Sequence, residues 1–261
     1  MLFDKTYKHS GDLGDIIYSL PVLKTYGKGI LVIDDIKNLK SWIEPKGIQI
    51  NLKKSDGTSS GICKNKFDFI KPLLEKQKYV KEVVRFFKKF KSTINLDCFR
   101  LDKDSKFIYE KYITIFDVPL HQYEEPWIDA DKKKIADVVF SRSNRYKNYD
   151  FPWHSIVKKY KKESVFVGLE EEYDSFIRTF GFVEYYKVKN AWDLACVING
   201  SDLFVGNQSL AYSINEGLKH KSIQETSPIL PDCIFVRENA SFFLKNNIVK
   251  FQYLEKKSIY V

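Results

Sequence analysis

Short apolar runs alternate along this chain with stretches whose apolar residues recur at helical spacing. A short strand is expected to include Leu2–Phe3, and the run from Asp15 to Lys24 predicts a helix. Gly27–Lys28–Gly29 breaks the pattern, and Ile30–Leu31–Val32–Ile33 predicts a buried strand closed by Asp34–Asp35. Ser55–Gly61 reads as a polar loop. Phe67, Ile70, Leu73 and Leu74 predict a helix over 67–78, dented by Pro72. Residues 81–87 read as a strand or helix end, and 93–97 as a strand. Pro119 and Pro126 then flank an acidic, aromatic stretch, His121–Glu125, which marks a boundary between domains 1–125 and 126–261. Beyond it the rhythm restarts. Strands are expected at 135–140, 164–168, 183–188 and 202–206, and helices at 155–160, 170–179, 191–198 and 209–218. Such alternation predicts an α/β protein with parallel sheets covered by helices. Two such units put a cleft between them, with ligands at the carboxyl ends of the strands.

Composition narrows the class. At 261 residues, 44% hydrophobic and 15% aromatic, the chain can bury a large core and is not a disordered polymer. No run of about 18 apolar residues exists, so no membrane-spanning helix is expected. The acidic start (Asp4, Asp12, Asp15) lacks the apolar stretch of a signal peptide, which predicts a cytoplasmic protein. Cys63, Cys98, Cys196 and Cys233 are scattered and read as reduced thiols. The four histidines are too far apart in sequence to suggest a ligand set. The formal net charge is +9, with lysine clumps at 88–91, 132–134 and 158–162. Most such clumps are solvated faces, yet the excess favours an anionic partner: a nucleotide diphosphate, a phosphorylated glycan, a nucleic acid or a membrane surface contacted from outside.

Two turns carry candidate chemistry. In Gly11–Asp12–Leu13–Gly14–Asp15, two glycines and two aspartates precede an apolar helical run. Glycine allows close backbone approach and positive φ, and the helix start offers unpaired N–H groups. Asp15 would stand at the mouth of whatever cleft the turn lines; an Asp-capped strand-to-helix turn reads from the same residues. The spacing is neither a Walker loop nor a dinucleotide fingerprint. The second turn is Gly206–Asn207–Gln208–Ser209, between a buried strand and a helix. Ser209 either caps that helix or joins Asn207 and Gln208 in binding phosphate. Glu216, two helical turns on, reads either as a ribose-binding carboxylate or as a surface glutamate. Arg142 and Arg145 follow the first strand of the second half and offer forks of donors to phosphate oxygens. Asp97 and Arg100, after the strand at 93–97, either line an acceptor cleft or form a surface ion pair. The tryptophans at 42, 127, 153 and 192 read as packing, with Trp153 placed nearest the second-domain pocket.

These residues resemble the family-nine glycosyltransferases, the heptosyltransferase-like group with the GT-B fold. The resemblance lies at Gly11–Ile17 with Leu20–Pro21, at Val167–Tyr173, and at Phe204–Ser209 followed by Glu216–Leu218. It implies two Rossmann-like domains, the first on the acceptor side and the second binding a nucleotide-sugar donor. It implies transfer of a sugar from a nucleotide-diphosphate sugar to an acceptor hydroxyl. Asp15 would be the base, with Gly11, Asp12, Gly14, Asp97 and Arg100 beside the acceptor. Arg142, Arg145, Asn207, Gln208, Ser209 and Glu216 would hold the donor. Where the family usually carries an Asp-Thr-Gly-like turn, this chain has Asn207–Gln208–Ser209. The leaving diphosphate can be stabilised by a helix N-terminus and arginines, so no metal or other cofactor is expected. The triplets Asp102–Lys103–Asp104 and Asp129–Ala130–Asp131, which a metal-dependent transferase would want, sit in lysine-rich loops and read as turns. The acceptor is a glycan, another anionic molecule or a base in nucleic acid. The alternative is a basic nucleic-acid-binding protein, supported by the aromatics interleaved with charge at 85–91 and 145–149.

Overall fold

The structure, a computed structural model, describes residues 5–33, 62–85, 94–244 and 247–250. The expected strand at Leu2–Phe3, the loop at 55–61, Trp42 and the lysine clump at 88–91 lie outside them. The chain divides into two units. The first is Met1–Ala130 with Lys189–Ala195, and the second is Asp131–Val188 with Cys196–Val261.

In the first unit β1 (Lys5–His9) leads to α1 (Leu13–Tyr26), β2 (Gly29–Ile33), α2 (Lys64–Glu75), β3 (Val80–Arg85) and β4 (Ile94–Asn95). A 3-10 helix (Leu96–Leu101), α3 (Ile108–Phe116) and α4 (His121–Glu124) follow. The sheet order is β3-β2-β1-β4, and every pairing is parallel. Strand order therefore reverses at β1, with β2 and β3 on one side and β4 on the other.

The strand expected over 93–97 is shorter than its pattern suggests. The Asn95 side chain accepts from the Asp97 backbone N–H at 3.2 Å, which turns the chain into the 3-10 helix. Helix α1 survives an internal proline, Pro21. A proline lacks the N–H that would bond the carbonyl four residues back, and its ring crowds that turn. Here the Trp127 indole N–H donates to the Ile17 carbonyl at 3.1 Å, and the Tyr123 hydroxyl donates to the Tyr18 carbonyl at 2.9 Å. The expected packing role of Trp127 thus includes satisfying a carbonyl that Pro21 leaves open.

In the second unit the order is β5 (Val138–Ser141), α5 (Trp153–Tyr160), β6 (Ser164–Phe166), α6 (Glu170–Phe180) and β7 (Glu184–Tyr185), after which α7 (Ala191–Gly200) has its first half assigned to the first unit and its second half to the second. Then come β8 (Leu203–Asn207), α8 (Leu210–Gly217), β9 (Ser222–Glu225), β10 (Ala240–Leu244) and β11 (Asn247–Lys250). The sheet runs β11-β10-β9-β8-β5-β6-β7, parallel except that β11 is antiparallel to β10. This order reverses at β5, between β6 on one side and β8 on the other. Phe140, Phe166, Phe176 and Val205 form its core with Trp153, whose ring meets Phe176 edge-on at 5.0 Å. Both units are thus parallel-sheet α/β layers of the Rossmann-like kind that the alternation predicts.

Candidate functional site

Ligands of open parallel sheets bind outside the carboxyl ends of the strands, where strand order reverses. In the first unit that point lies between β1 and β4. There His9 ends β1, Asp12 takes the N-cap position of α1 without a side-chain cap bond, and Gly14 and Asp15 fall in the first turn. The 3-10 helix brings Asp97 and Arg100 to the same point. Arg100 Nη2 lies 2.8 Å from Asp15 Oδ2, and Nη1 lies 3.0 Å from Asp97 Oδ1. The guanidinium also stacks over the Phe99 ring at 4.3 Å. Asp97 is fully buried; it accepts from the Ser10 N–H at 3.0 Å and the Ser10 hydroxyl at 2.7 Å, and Lys8 Nζ lies 3.4 Å away. The surface ion pair that the sequence allowed for Asp97 and Arg100 is instead a buried carboxylate holding a guanidinium. Asp15 and Arg100 remain 26% and 24% exposed, enough to meet a ligand.

Gly11 is explained by close approach. A Cβ there would lie 2.3 Å from Arg100 Nη2 and 2.9 Å from Asp15 Oδ2. The positive φ that its composition permits is not used at Gly11 or at Gly14, which is helical.

Hydrogen bonds fix the tautomer of His9. The Gly11 N–H donates to His9 Nδ1 at 2.9 Å. Nε2 therefore carries the proton and donates to the Tyr112 hydroxyl at 3.1 Å. That hydroxyl in turn donates to the Asp15 carbonyl at 3.0 Å. Burial drives the His9 pKa down to about 3, so the ring is neutral. Burial alone would push the Asp97 carboxyl up, but the facing His9, then Arg100, Lys8 and the Ser10 amide, together hold the group below its ordinary value. Burial also disfavours charge on Arg100, yet Asp15 and Asp97 more than offset it and keep the guanidinium charged.

These directions set the acid behaviour. Below the ordinary histidine value of 6.5 the unfolded chain protonates His9 and the folded one does not, down to about 3. Unfolding then takes up protons, so stability falls with pH in this window. His220, lowered by burial to about 4, acts with the same sign. Asp97 adds stability that is lost at still lower pH, as its folded-state carboxyl protonates. The urea midpoint is expected to fall steadily from pH 6.5 to pH 4. A flat profile there would contradict a neutral, buried His9.

In the second unit the order reverses between β5 and β8, and the loop after β5 and the turn after β8 lie at its carboxyl end. Ser141 of β5 stands opposite Gly206 of β8. Asn207, fully buried, accepts from the Ser143 N–H at 2.8 Å and donates to the carbonyls of Ser143 and Arg145 at 3.0 and 2.6 Å. One amide thus holds the first part of the loop after β5, from Ser143 to Arg145. That loop also holds Tyr146 at φ 57°, a left-handed conformation uncommon for a bulky residue. Gln208 donates to the Leu230 carbonyl and to Asp232, and accepts from the Ser227 N–H. Ser209 is the N-cap of α8, its hydroxyl accepting from the Tyr212 N–H at 3.4 Å.

Arg142 is buried, and its fork is spent on Glu225 through two bonds of 2.8 Å. Arg145 is exposed, with its guanidinium over the Tyr146 ring. Glu216 is not the surface glutamate that the sequence allowed. It is fully buried and held by Arg237 and Lys219. The structure therefore brings Arg142, Arg145, Asn207, Gln208 and Ser209 to the carboxyl ends of β5 and β8 and commits the Glu216 carboxylate to other charges.

Several residues escaped the sequence reading. Glu225 accepts from Arg142, from the Asn148 N–H and from the Trp153 indole N–H. Glu172, half-buried, accepts from the N–H groups of Asn144 and Leu169, and burial raises its pKa. Of the partners of Glu225, Trp153 had been placed near the second-domain site by the sequence alongside Arg142, and Asn148 had not.

The triplet at Asp102 behaves as a turn. Its carboxylate accepts from the N–H groups of Asp104 and Ser105. Among the described residues no group of three His, Cys, Asp or Glu side chains comes together to hold a metal, and no helix is long and apolar enough to cross a membrane.

No family model matches the chain, and no curated protein matches it. Among solved structures it is similar to the E. coli heptosyltransferase WaaC with ADP-2-deoxy-2-fluoro heptose, at 12% identity and a TM-score of 0.47, covering 92% of this chain and 93% of that one. It is also similar to a glycosyl transferase family 9 structure from Veillonella parvula DSM 2008, at 13% identity and a TM-score of 0.47, covering 85% and 80%. The site described above rests on this chain's own geometry.

Proposed function

We propose that this chain is a glycosyltransferase that moves a sugar from a nucleotide-diphosphate sugar to an acceptor hydroxyl. The observation that carries the reading is a partly exposed carboxylate, Asp15, steered by a guanidinium at the strand-order reversal of the first sheet. A hydroxyl is a poor nucleophile near neutral pH, and a carboxylate in this place takes its proton as the new bond forms. The acceptor oxygen attacks the anomeric carbon, the bond to the diphosphate oxygen breaks, and that oxygen leaves with the electron pair. A direct displacement of this kind inverts the anomeric centre. In the second unit the Ser209-capped start of α8 and the exposed Arg145 supply positive charge for the leaving diphosphate without a metal. Arg142, Asn207, Gln208 and Glu172 act by shaping the loops. The acceptor is a glycan, another anionic molecule or a nucleic-acid base.

Thermal unfolding against ADP, GDP, UDP, CDP and their sugars, with and without EDTA, tests the donor half. A ligand at ~100 Kd stabilises the folded state by about 2.7 kcal/mol. The expected result is a shift with one nucleotide that EDTA does not change. No shift with any of them moves the reading to a basic nucleic-acid-binding protein.

A further inference from the structure

A base that takes a proton from a hydroxyl must point at it, and the Asp15 carboxylate is steered by one long, otherwise mobile side chain. That side chain, Arg100, is itself anchored. A guanidinium is planar, with its donors in a rigid fork. Nη1 rests on Asp97 and Nη2 on Asp15, so the position of the first carboxylate dictates the direction of the second. Asp97 has little freedom of its own, because the Ser10 N–H, the Ser10 hydroxyl, Lys8 and Arg100 surround it in a fully buried setting. Gly11 leaves the gap through which Arg100 reaches Asp15.

We propose that Asp97 is the positioning residue of this site: it fixes the Arg100 guanidinium, and through it the direction of the Asp15 carboxylate, without touching substrate. The proposal rests on the reading of Asp15 as the base. Among the described residues, Arg100 on the 3-10 helix and Tyr112 on α3 contact Asp15 directly. Asp97 beside Arg100, with Lys8 and neutral His9 of β1 facing it, and Asp12 in the turn bring further charged and titratable groups to this point. Of these, the Arg100 guanidinium reaches both carboxylates.

A double-mutant cycle tests it, on the full chain, with Asp97→Asn, Arg100→Lys and the pair. Lysine keeps the charge but cannot bridge two carboxylates as a fork does. Misplacing a reacting group by about 1 Å costs up to ~100-fold, so each single variant is expected to lower kcat about 10–100-fold and leave the donor KM unchanged. The pair should be no worse than the weaker single, because both remove one interaction. Independent, multiplying losses would overturn the proposal, and so would either single variant with an unchanged kcat. Where Asp97→Asn fails to fold, with Lys8 and Arg100 stripped of their partner, Asp97→Glu takes its place: it keeps the charge, displaces the carboxylate and carries the same expectation.

The carbon-13 signal of the Asp15 carboxyl is read by NMR in the same proteins and needs no turnover. The expected shift change is equal in the two single variants and no larger in the pair; additive changes overturn the positioning role. A non-additive NMR cycle in a protein that transfers no sugar would strike the transferase reading and leave the positioning role standing.

Discussion

Replacing Asp15 with asparagine is expected to lower the rate of sugar transfer by 10²–10⁴-fold, the range for loss of a general base. Asparagine keeps the shape of the side chain and still accepts a hydrogen bond from Arg100, but it cannot take the acceptor proton. Folding should hardly change. The Asp15–Arg100 pair is partly exposed, and such pairs contribute only ~0.2–1 kcal/mol. Arg100 also keeps Asp97, so no buried charge is stranded. The nucleotide-induced rise in melting temperature should be intact, because the proposed donor contacts belong to the second unit. Steady-state transfer and thermal unfolding, measured on the same preparation, separate the outcomes. Transfer within tenfold of the parent would mean that Asp15 only pairs with Arg100. Loss of both transfer and nucleotide binding would mean that the variant disturbs more than one side chain.

The parts of this architecture that rest on apolar periodicity were legible, and the parts that rest on buried charge were not. Ile30–Ile33 and Leu203–Gly206 read as strands because a strand buried on both faces is a continuous apolar run. Strand β1 escaped, since Lys-Thr-Tyr-Lys-His reads as polar; Lys8 and His9 are nonetheless buried, one beside Asp97 and the other between the Gly11 N–H and the Tyr112 hydroxyl. These partners lie far along the chain, and nothing local announces them. The turn at Gly11–Asp15 stood out in the sequence because its glycine spacing and carboxylates are local. The contact between Asp15 and Arg100 was not legible, because Arg100 arrives from the far side of the β1/β4 boundary. The partners of the arginine and glutamate in the second half were hidden for the same reason. Arg142 looks like a phosphate ligand until the end of β9 brings Glu225 to it. Glu216 has the spacing of a ribose ligand until Arg237 arrives from beyond β9.

Glu225→Gln is expected to give the largest loss of stability, about 3–5 kcal/mol, the range for removing one partner of a buried ion pair. The carboxylate is fully buried and receives the Arg142 fork through Nε and Nη2, the Asn148 N–H at 2.7 Å and the Trp153 indole N–H at 2.8 Å. Glutamine accepts through one oxygen only and turns an N–H₂ toward donors, so Arg142 is left charged and buried with half its bonds. Arg142→Met/Glu225→Leu should recover much of the loss, since apolar side chains of similar volume often replace a buried pair at no net cost. Urea unfolding of the parent, the single variant and the pair reads this directly. A donor-phosphate role for Arg142 makes the opposite prediction: Glu225→Gln would cost under ~1 kcal/mol and leave a mobile guanidinium that binds nucleotide at least as well. The structural role predicts weaker nucleotide binding in Glu225→Gln, because Glu225 anchors the β5 loop at both Arg142 and Asn148 and that loop carries Arg145. The ratio of the nucleotide Kd values therefore decides between a buried Arg142 that only holds the loop carrying Arg145 and an Arg142 that reaches a diphosphate itself.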